Sequence, residues 1–449
     1  MANTKAVTKE PFKVPGNFLV GHLLSAKNEG VYFYLRMGKE HGDALQLRFA
    51  HLNLYLFLHP DHYREILVDK ADQFIKGKQY DSLRMLMGNG LLTSTGKDWA
   101  LQRKLMNPLF GKEGMDVLLG HINRITKKYA DHVTVNHEID WTKYMFDLTL
   151  EVAFASFFGK SFADKDLDKL VSASFDCIRF VSRRMSNIVN PPVFLPLKDN
   201  QDFKKSYHYL NSTVSSIYNA RLLAEDAPPR DLLDLLMKAE DNGLKLSKSQ
   251  IWDQILSFMM AGHETTALTM SWLFYYLAQH PEAQEKIADE CKRNDYKFDN
   301  SLAINQYPYL NAVLNETMRL NPAGWIISRE AAEDSSIGEF KIKKGQVIAV
   351  SPLVTHRDPR WWSDPNTFIP ERFLEGHELY NKAPKNAFLP FSLGKRNCIG
   401  ARFAVLEMAL LCIHFFKEHR VQTTQTNIRM KGYVTLKPDK NIRVTVKRV

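Results

Sequence analysis

Cysteine is scarce in this sequence, and its four copies stand far apart. They are Cys177, Cys291, Cys398 and Cys412 in a chain of 449 residues, and no two of them form a CxxC pair. A zinc cluster or a framework of disulfides needs grouped or regularly spaced cysteines, so the sequence disfavours both. We therefore expect the protein to work in a reducing compartment.

Long apolar runs are also missing from the N-terminal region. The longest apolar stretch there covers residues 18–20, whereas a membrane-spanning helix needs about 20 apolar residues in a row. An Arg-rich presequence and the apolar segment of a secretory signal are missing as well. We expect a cytoplasmic protein without a membrane span.

The excess of positive charge is modest. Lysine and arginine total 60 and aspartate and glutamate total 50, which gives a formal net charge of +10. The basic residues are spread along the chain and not clustered, so we expect a solvated surface and no binding of nucleic acid. The alternative is that part of this charge attracts an acidic protein partner.

Hydrophobic patterning predicts a mainly helical fold with a minor β portion. Residues 45–60 alternate between apolar and polar positions, which predicts a β-hairpin. Helix-length segments dominate the middle of the chain, and short strands follow them, for example at 346–350. A last strand-like pair is predicted near 433–436 and 442–446. No break in composition separates these parts, so we predict one domain over residues 1–449.

The most informative predicted helix spans residues 247–279. Ser247 and Gln250 have the spacing of a capping box at its start. Pro281 sets its end, because proline disfavours helical geometry in the residue before it. From Trp272 to Leu277 every face is apolar, which predicts a buried helix. Charged residues elsewhere in the helix make a membrane span a poor alternative.

Two residues in the middle of this helix break the rules for a buried helix. Gly262 is a weak helix former, and the carboxylate of Glu264 is costly to bury. Local rules of this kind are typically broken at functional sites. His263 and Glu264 also begin like the zinc-protease pattern HExxH, but Ala267 occupies the position of the second histidine, so that interpretation fails.

Cys398 lies in a glycine-containing segment just before a strongly apolar helix predicted over residues 401–416. Amide donors at a helix start favour the thiolate form of a cysteine, and Arg396 adds positive charge beside the sulfur. Gly394 and Gly400 let the backbone and a flat ligand approach closely. The alternative is a buried and inert cysteine, the usual state of a lone thiol.

This segment resembles the haem-binding signature FxxGxRxCxG of the cytochrome P450 family. Every fixed position is matched, by Phe391, Gly394, Arg396, Cys398 and Gly400. Other motifs of the family are matched in the family's order across nearly the whole chain. They are the oxygen-activation motif (Ala261, Gly262, Glu264, Thr265, Thr266), the ExxR pair (Glu316, Arg319), the PERF segment (370–373, with Arg372), the WxxxR pair (Trp99, Arg103) and a weak proline-rich hinge (Pro15, Gly16).

The resemblance implies the P450 fold, with haem b between the long helix and the helix after the cysteine. It implies that the thiolate of Cys398 is the protein ligand of the iron. The other side chains that it implies for haem binding are Ala261, Phe391, Trp99, Arg103, Arg329, Arg396 and Lys76. For Lys76 the alternative is plain solvent exposure. A buried ion-pair triad is implied to order the haem-binding loop, because buried charges must pair; it comprises Glu316, Arg319 and Arg372.

Thr265 and Glu264 are the catalytic residues that the resemblance implies. The hydroxyl of Thr265 is expected to hold dioxygen and a water molecule, and Glu264 is expected to relay protons from solvent. The alternative for a helical threonine is a hydroxyl bonded back to the carbonyl four residues earlier, here that of Ala261. We expect His356 to be structural and not a ligand.

The resemblance also implies a hydrophobic substrate pocket. The side chains expected to line it are Met87, Leu92, Met260, Ala323, Ile326 and Val434. They are apolar, which indicates a hydrophobic substrate that excludes water, and methionine adapts its shape and therefore sets substrate size poorly. Ordinary core packing is the alternative for each of them.

Together, the resemblance implies a haem-thiolate monooxygenase that inserts one oxygen atom from O2 into a hydrophobic molecule, with a fatty acid or a terpenoid expected. Electrons are expected from a separate ferredoxin or flavodoxin and its reductase, since no reductase follows the haem segment, and we expect a monomer. Basic residues near the cysteine (Lys395, Arg396, Arg402) suit an acidic partner. One alternative is a peroxide-driven or isomerase-type enzyme, which typically lacks the pair Glu264 and Thr265. Another is a haem-binding sensor or carrier without turnover.

Overall fold

The computed structural model describes residues 9–159, 164–187, 190–222 and 228–449. Its helices are α1 (Leu23–Glu29), α2 (Val31–His41), α3 (Pro60–Arg64), α4 (Asp81–Met87), α5 (Gly96–Met106), α6 (Lys112–Asp131), α7 (Trp141–Phe158), α8 (Asp164–Ser186), α9 (Lys198–Leu222), α10 (Leu232–Lys238), α11 (Lys248–Gln279), α12 (Pro281–Arg293), α13 (Pro308–Leu320), α14 (Pro352–Thr355) and α15 (Ala401–Phe415). Its strands are β1 (Phe12–Lys13), β2 (Ala44–Phe49), β3 (Leu52–Phe57), β4 (Phe74–Ile75), β5 (Glu138–Asp140), β6 (Glu240–Asp241), β7 (Leu244–Lys245), β8 (Ile327–Ala331), β9 (Ser335–Ile337), β10 (Phe340–Ile342), β11 (Val347–Val350), β12 (His419–Gln422), β13 (Met430–Gly432), β14 (Leu436–Pro438) and β15 (Arg443–Arg448).

The chain forms two compact units. The first comprises the described residues up to Gln79 together with 315–398 and 429–439. The second comprises the described residues from Tyr80 to Leu314 together with 399–428 and 440–449. One domain over the whole chain stays a prediction.

A six-stranded mixed sheet organises the first unit, in the order β1-β2-β3-β11-β8-β4. The hairpin predicted from the alternating pattern is confirmed as β2 and β3, which pair antiparallel with Ala44 opposite Phe57 and Phe49 opposite Leu52. The strand predicted at 346–350 is confirmed as β11, parallel to β3 and antiparallel to β8. Successive apolar residues of β3 and β11 alternate between two buried clusters, because successive side chains of a strand point to opposite faces; Phe57 and Ile348 lie in one cluster and Leu56 and Ala349 in the other.

The prediction of a terminal strand pair is wrong in its pairing. Residues 433–435 form the turn of a hairpin in the first unit, where β13 pairs antiparallel with β14. The segment near 442–446 is the strand β15, and its partners are β12 and β5 in the second unit. Both segments have strand-like composition, but composition does not specify which strands pair.

The second unit is helical, and α11 is its longest helix. The predicted capping box is present, since the Ser247 hydroxyl accepts a hydrogen bond of 3.2 Å from the Gln250 N–H and the Gln250 side chain accepts one of 2.9 Å from the Ser247 N–H. The helix has 32 residues, which is about 48 Å at 1.5 Å per residue. Within the part of the chain that the structure describes, no helix has both the length and the apolar character needed to cross a membrane.

Two hydrogen bonds attach α7 to α11 beside Gly262 and Glu264. The Thr149 hydroxyl donates to the carbonyl oxygen of His263 at 3.2 Å, and the imidazole of His263 donates through Nε2 to the carbonyl oxygen of Phe146 at 3.1 Å. His263 is therefore a buried packing residue. Among the described residues, no group of three or more histidine, cysteine, aspartate or glutamate side chains is placed to hold a metal ion.

Candidate functional site

Cys398 closes a short loop at the end of the first unit. Its backbone N–H donates to the carbonyl oxygen of Phe391 at 2.9 Å, and the N–H of Asn397 donates to that of Gly394 at 3.0 Å. Gly394 has φ of +69°, and a Cβ at this position would lie 2.1 Å from the carbonyl oxygen of Leu67. Only glycine allows so close an approach of two backbones, which explains this position of the signature.

The thiol of Cys398 is accessible, whereas the other three cysteines are buried. Burial raises the pKa of the thiols of Cys177 and Cys291 to about 12, with a smaller contribution from a neighbouring carboxylate in each case. Burial also raises the pKa of Cys412 well above its usual value. Those three cysteines are therefore inert, and Cys398 is the cysteine with the exposure that a metal ligand needs.

The side chains of Glu316, Arg319 and Arg372 form one buried network in the first unit. Arg319 binds Glu316 through two hydrogen bonds, at 2.6 Å and 2.8 Å, and Arg372 lies 3.3 Å from the same carboxylate. The N–H of Ile369 donates to this carboxylate at 2.9 Å. Arg319 also donates to three backbone carbonyl oxygens, those of His356, Pro365 and Thr367. Each buried charge thus has a partner, and the network joins segments that are far apart in the sequence.

His356 extends this network toward the cysteine loop. Its Nδ1–H donates to the carbonyl oxygen of Arg319 at 3.1 Å, and its Nε2 accepts from the N–H of Leu389 at 2.9 Å. Burial and, second, the charge of Arg319 lower the pKa of His356 to about 3, so the imidazole is neutral. Leu389 lies two residues before Phe391, which closes the loop of Cys398. His356 is structural, as expected, but the sequence did not indicate its link to Leu389.

Two basic side chains lie buried near the β4 edge of the six-stranded sheet of the first unit. Lys76 is 9% exposed and Arg329 is 4% exposed. Ile75 of β4 stands opposite Glu330 of β8, so Lys76 and Arg329 follow at the next register position. Lysine and arginine side chains bind carboxylates through charge-assisted hydrogen bonds, which makes this edge suitable for a carboxylate-bearing ligand such as a haem propionate.

In the second unit, a narrow accessible stripe interrupts the buried surface of α11. Ala261 is exposed and Gly262 and Thr265 are partly exposed, whereas nearly all other residues from Ile251 to Ala278 are buried. Ala261 and Gly262 are small residues, so the stripe leaves room for a ligand to lie against the helix. Glu264 is buried beside it.

The hydroxyl of Thr265 donates to the carbonyl oxygen of Ala261 at 2.7 Å. This is the back-bonded arrangement that a helical threonine commonly adopts. The same hydroxyl is on the accessible stripe, so it can exchange this partner for a ligand.

Trp99 and Arg103 lie one turn apart on α5, where Trp99 is buried and Arg103 is partly exposed.

The residues predicted for the substrate pocket differ in their exposure. Met87 and Met260 are buried in the second unit, where Leu92 is partly exposed. In the first unit Ala323, Ile326 and Val434 are partly exposed. Among them, Ala323 and Val434 lie near each other, since the N–H of Leu436 donates to the carbonyl oxygen of Ala323 at 3.1 Å.

Each unit by itself offers groups that fit a haem. The first presents an accessible thiol at Cys398, the partly exposed Arg396 and Phe391 of the same loop, and a buried basic edge. The second presents the small-residue stripe of α11 and the WxxxR pair of α5. A thiolate can ligate the iron of a porphyrin, cations can bind its propionates and small residues leave room for its ring, and these are the groups present.

Known proteins of one family are similar to this chain over most of its length. The family model described as Cytochrome P450 matches residues 11–446. Human cytochrome P450 4V2 is 29% identical over 96% of this chain and 88% of the human protein. Putative cytochrome P450 132 of Mycobacterium tuberculosis is 28% identical over 90% of each chain. Cyclooctat-9-en-7-ol 5-monooxygenase of Streptomyces melanosporofaciens is 28% identical over 89% of this chain and 86% of that protein.

Proposed function

Because this chain belongs to the cytochrome P450 family and is thereby a haem-thiolate monooxygenase, we propose that it inserts one oxygen atom from O2 into a lipophilic small molecule. The observation that carries the proposal is the accessible thiol of Cys398 in its hydrogen-bonded loop, in a chain whose other cysteines are buried. The cofactor is haem b, which supplies the reductive activation of dioxygen when bound.

The roles of the haem-binding residues follow from their chemistry. Cys398 supplies the thiolate ligand of the iron. When haem is bound, Phe391 and Ala261 would pack against it. Basic and indole side chains would donate hydrogen bonds to its propionates, namely those of Lys76, Arg329, Arg396, Trp99 and Arg103. The network of Glu316, Arg319 and Arg372 holds the segments on which the cysteine loop rests.

Proton delivery is assigned to Thr265 and Glu264. The Thr265 hydroxyl lies on the accessible stripe of α11 and holds dioxygen and a water molecule in the reacting state. Glu264 is the neighbouring acid and passes protons from solvent to that water, because reduction of dioxygen consumes protons as well as electrons. This pair favours an oxygen-dependent enzyme over a peroxide-driven or isomerase-type one.

The substrate class is a fatty acid or a terpenoid. The pocket residues Met87, Leu92, Met260, Ala323, Ile326 and Val434 carry only aliphatic and thioether side chains, which favour an apolar ligand. The relative from Streptomyces melanosporofaciens is named for cyclooctat-9-en-7-ol, which places a compound of that kind in the first panel to be tested.

Electrons come from a separate ferredoxin or flavodoxin and its reductase, and the enzyme acts as a cytoplasmic monomer. Arg396 and Arg402 are the partly exposed basic residues near the cysteine that suit an acidic partner. Lys395 forms an ion pair with the exposed Asp72, so its charge is partly offset within the first unit.

The decisive experiment measures turnover of the haem-loaded protein with a surrogate ferredoxin system. A panel of saturated fatty acids and terpenoids is first screened for the low-spin to high-spin shift of the haem absorption, which reports displacement of water from the iron. Compounds that give the shift are then incubated with NADPH and 18O2. We expect a product that carries one labelled oxygen atom. A protein that binds haem but forms no product with any compound, with O2 or with hydrogen peroxide, would instead be a sensor or carrier.

A further inference from the structure

Two neighbouring residues of α11 hold the loop that joins α4 to α5, residues 88–95. The carboxylate of Asp253 accepts a hydrogen bond of 2.8 Å from the backbone N–H of Asn89. The side-chain oxygen of Gln254 accepts one of 2.8 Å from the backbone N–H of Leu91. Both partners lie more than 160 residues away in the sequence. We call Asp253 and Gln254 the clip.

The loop backbone lies directly on the helix beside the clip. Gly88 has φ of +56°, and a Cβ there would lie 2.0 Å from a carboxylate oxygen of Asp253. A Cβ on Gly90 would lie 2.1 Å from the hydroxyl oxygen of Ser257, which itself reaches the carbonyl oxygen of Met87 at 3.5 Å. The two glycines are therefore required for this close seating, and the clip acts on the backbone of the loop without an intervening side chain.

The bond made by Gln254 is buried. Gln254 is 0% exposed and Leu91 is 8% exposed, so water cannot replace the bond if it is removed. Gln102 of α5 holds the same loop from its other end, since its amide donates to the carbonyl oxygen of Asn89 at 2.9 Å and accepts from the Ser94 hydroxyl at 3.0 Å. The loop is thus fixed by side chains of two helices.

We propose that Asp253 and Gln254 are positioning residues for the substrate-binding loop. The proposal rests on the proposed function, in which Met87 and Leu92 contact the substrate. Gln254 lies seven residues before Ala261, which places it on the same face of α11 about 10 Å along the helix axis. The clip therefore sets where the loop stands along the helix that carries the oxygen-activation motif, and neither of its residues touches the substrate.

Hydrogen–deuterium exchange of the full-length protein tests the clip without any turnover. Gln254→Leu removes the acceptor of the Leu91 N–H, and Gln279→Leu makes the same change at an exposed position of the same helix. For Gln254→Leu we expect exchange of residues 88–95 to become about tenfold faster, which corresponds to about 1.4 kcal/mol of lost protection. Gln279→Leu should exchange at the wild-type rate. Unchanged exchange in Gln254→Leu would overturn the proposal.

Titration of the haem-loaded variants with two azoles separates positioning from general stability. Imidazole is small and clotrimazole is bulky, so on this proposal only clotrimazole is expected to contact the loop. We expect Gln254→Leu to weaken clotrimazole binding about tenfold and to leave the imidazole Kd unchanged. The positioning role would be overturned if Gln254→Leu exchanged faster but bound clotrimazole as the wild type does. It would also be overturned if the variant bound both azoles equally more weakly. A protein without the carbon-monoxide band of sulfur-ligated iron would refute the proposed function, while the exchange result would still stand for the clip.

Discussion

The Nε2 atom of His356 accepts a buried hydrogen bond of 2.9 Å from the backbone N–H of Leu389. On its other side the imidazole donates to the carbonyl oxygen of Arg319, whose guanidinium binds Glu316. A continuous buried network therefore leads from the ExxR pair to a point two residues before the cysteine loop. Its members bind one another and backbone groups, so we expect their replacement to affect stability and retention of the cofactor.

Replacing His356 by leucine removes both hydrogen bonds and leaves a buried N–H and a buried carbonyl oxygen without partners. We expect the free energy of unfolding to fall by about 1–3 kcal/mol for each group left unpaired. Urea unfolding followed by circular dichroism measures the change. His51→Leu is the matched control, because His51 is exposed in the same unit and should change stability by less than about 0.5 kcal/mol. Equal stability of the two variants would contradict the proposed network.

The lowered pKa of His356 predicts a pH dependence. Burial and the charge of Arg319 lower this pKa from 6.5 to about 3 in the folded protein. The unfolded chain therefore binds the proton more tightly, so the contribution of His356 to stability is complete above pH 6.5 and falls as the pH drops toward 3. The slope is about 1.4 kcal/mol per pH unit within that window. Between about pH 7 and pH 5, the free energy of unfolding should fall more steeply with decreasing pH in the wild type than in His356→Leu. An equal pH dependence of the two proteins would refute this assignment.

Replacing Glu316 by glutamine leaves the buried guanidinium groups of Arg319 and Arg372 without their carboxylate. We expect a loss of about 3–5 kcal/mol of stability, which is typical when one partner of a buried pair is removed, and poor retention of haem. Glu285→Gln provides the control, since Glu285 is 61% exposed in its pair with Arg420 and such pairs contribute about 1 kcal/mol at most. Urea unfolding and the haem-to-protein absorbance ratio report the two effects. Comparable losses in both variants would show that the buried pair has no special role.

Thr265 and Thr269 make a matched pair for testing proton delivery. Both hydroxyls donate to the carbonyl four residues earlier, at 2.7 Å and 2.9 Å, but Thr265 is on the accessible stripe and Thr269 is buried. We expect Thr265→Val to lower the product formed per NADPH consumed by about tenfold or more, since proton delivery contributes on the order of 100-fold to such steps. Thr269→Val should keep the wild-type ratio. The assignment of Thr265 is wrong if the two variants behave alike.

Cys398→Ser is expected to abolish the carbon-monoxide band of sulfur-ligated iron, because a serine hydroxyl does not supply a thiolate. The absorption spectrum of the reduced, carbon-monoxide-treated protein measures this directly. Cys412→Ala is the control, because Cys412 is buried and its thiol is protonated. That variant should keep the band and lose only a little stability. Persistence of the band in Cys398→Ser would show that another residue ligates the iron.

Local patterns predicted much of the molecule. The capping box at Ser247 and the proline at position 281 mark the ends of α11 to within one residue, because both act through neighbouring backbone groups. The alternating hairpin of β2 and β3 and the apolar helix α15 were predicted for the same reason. The motif around Cys398 was recognised from its resemblance to a family signature, whereas the close approach of Gly394 to the carbonyl oxygen of Leu67, which requires glycine there, is a tertiary contact that the sequence did not indicate.

The tertiary structure alone decided which distant groups meet. The partners of β15, the acceptor of the Leu389 N–H on His356 and the acceptor of the Leu91 N–H on Gln254 all depend on packing between segments far apart in the chain. A strand or a polar side chain carries the capacity to form such a bond, but its composition does not name the partner. Sequence thus determined the elements and the chemistry of the cysteine loop, and packing determined which buried donors and acceptors pair, because each pairing is set by the geometry of several elements at once.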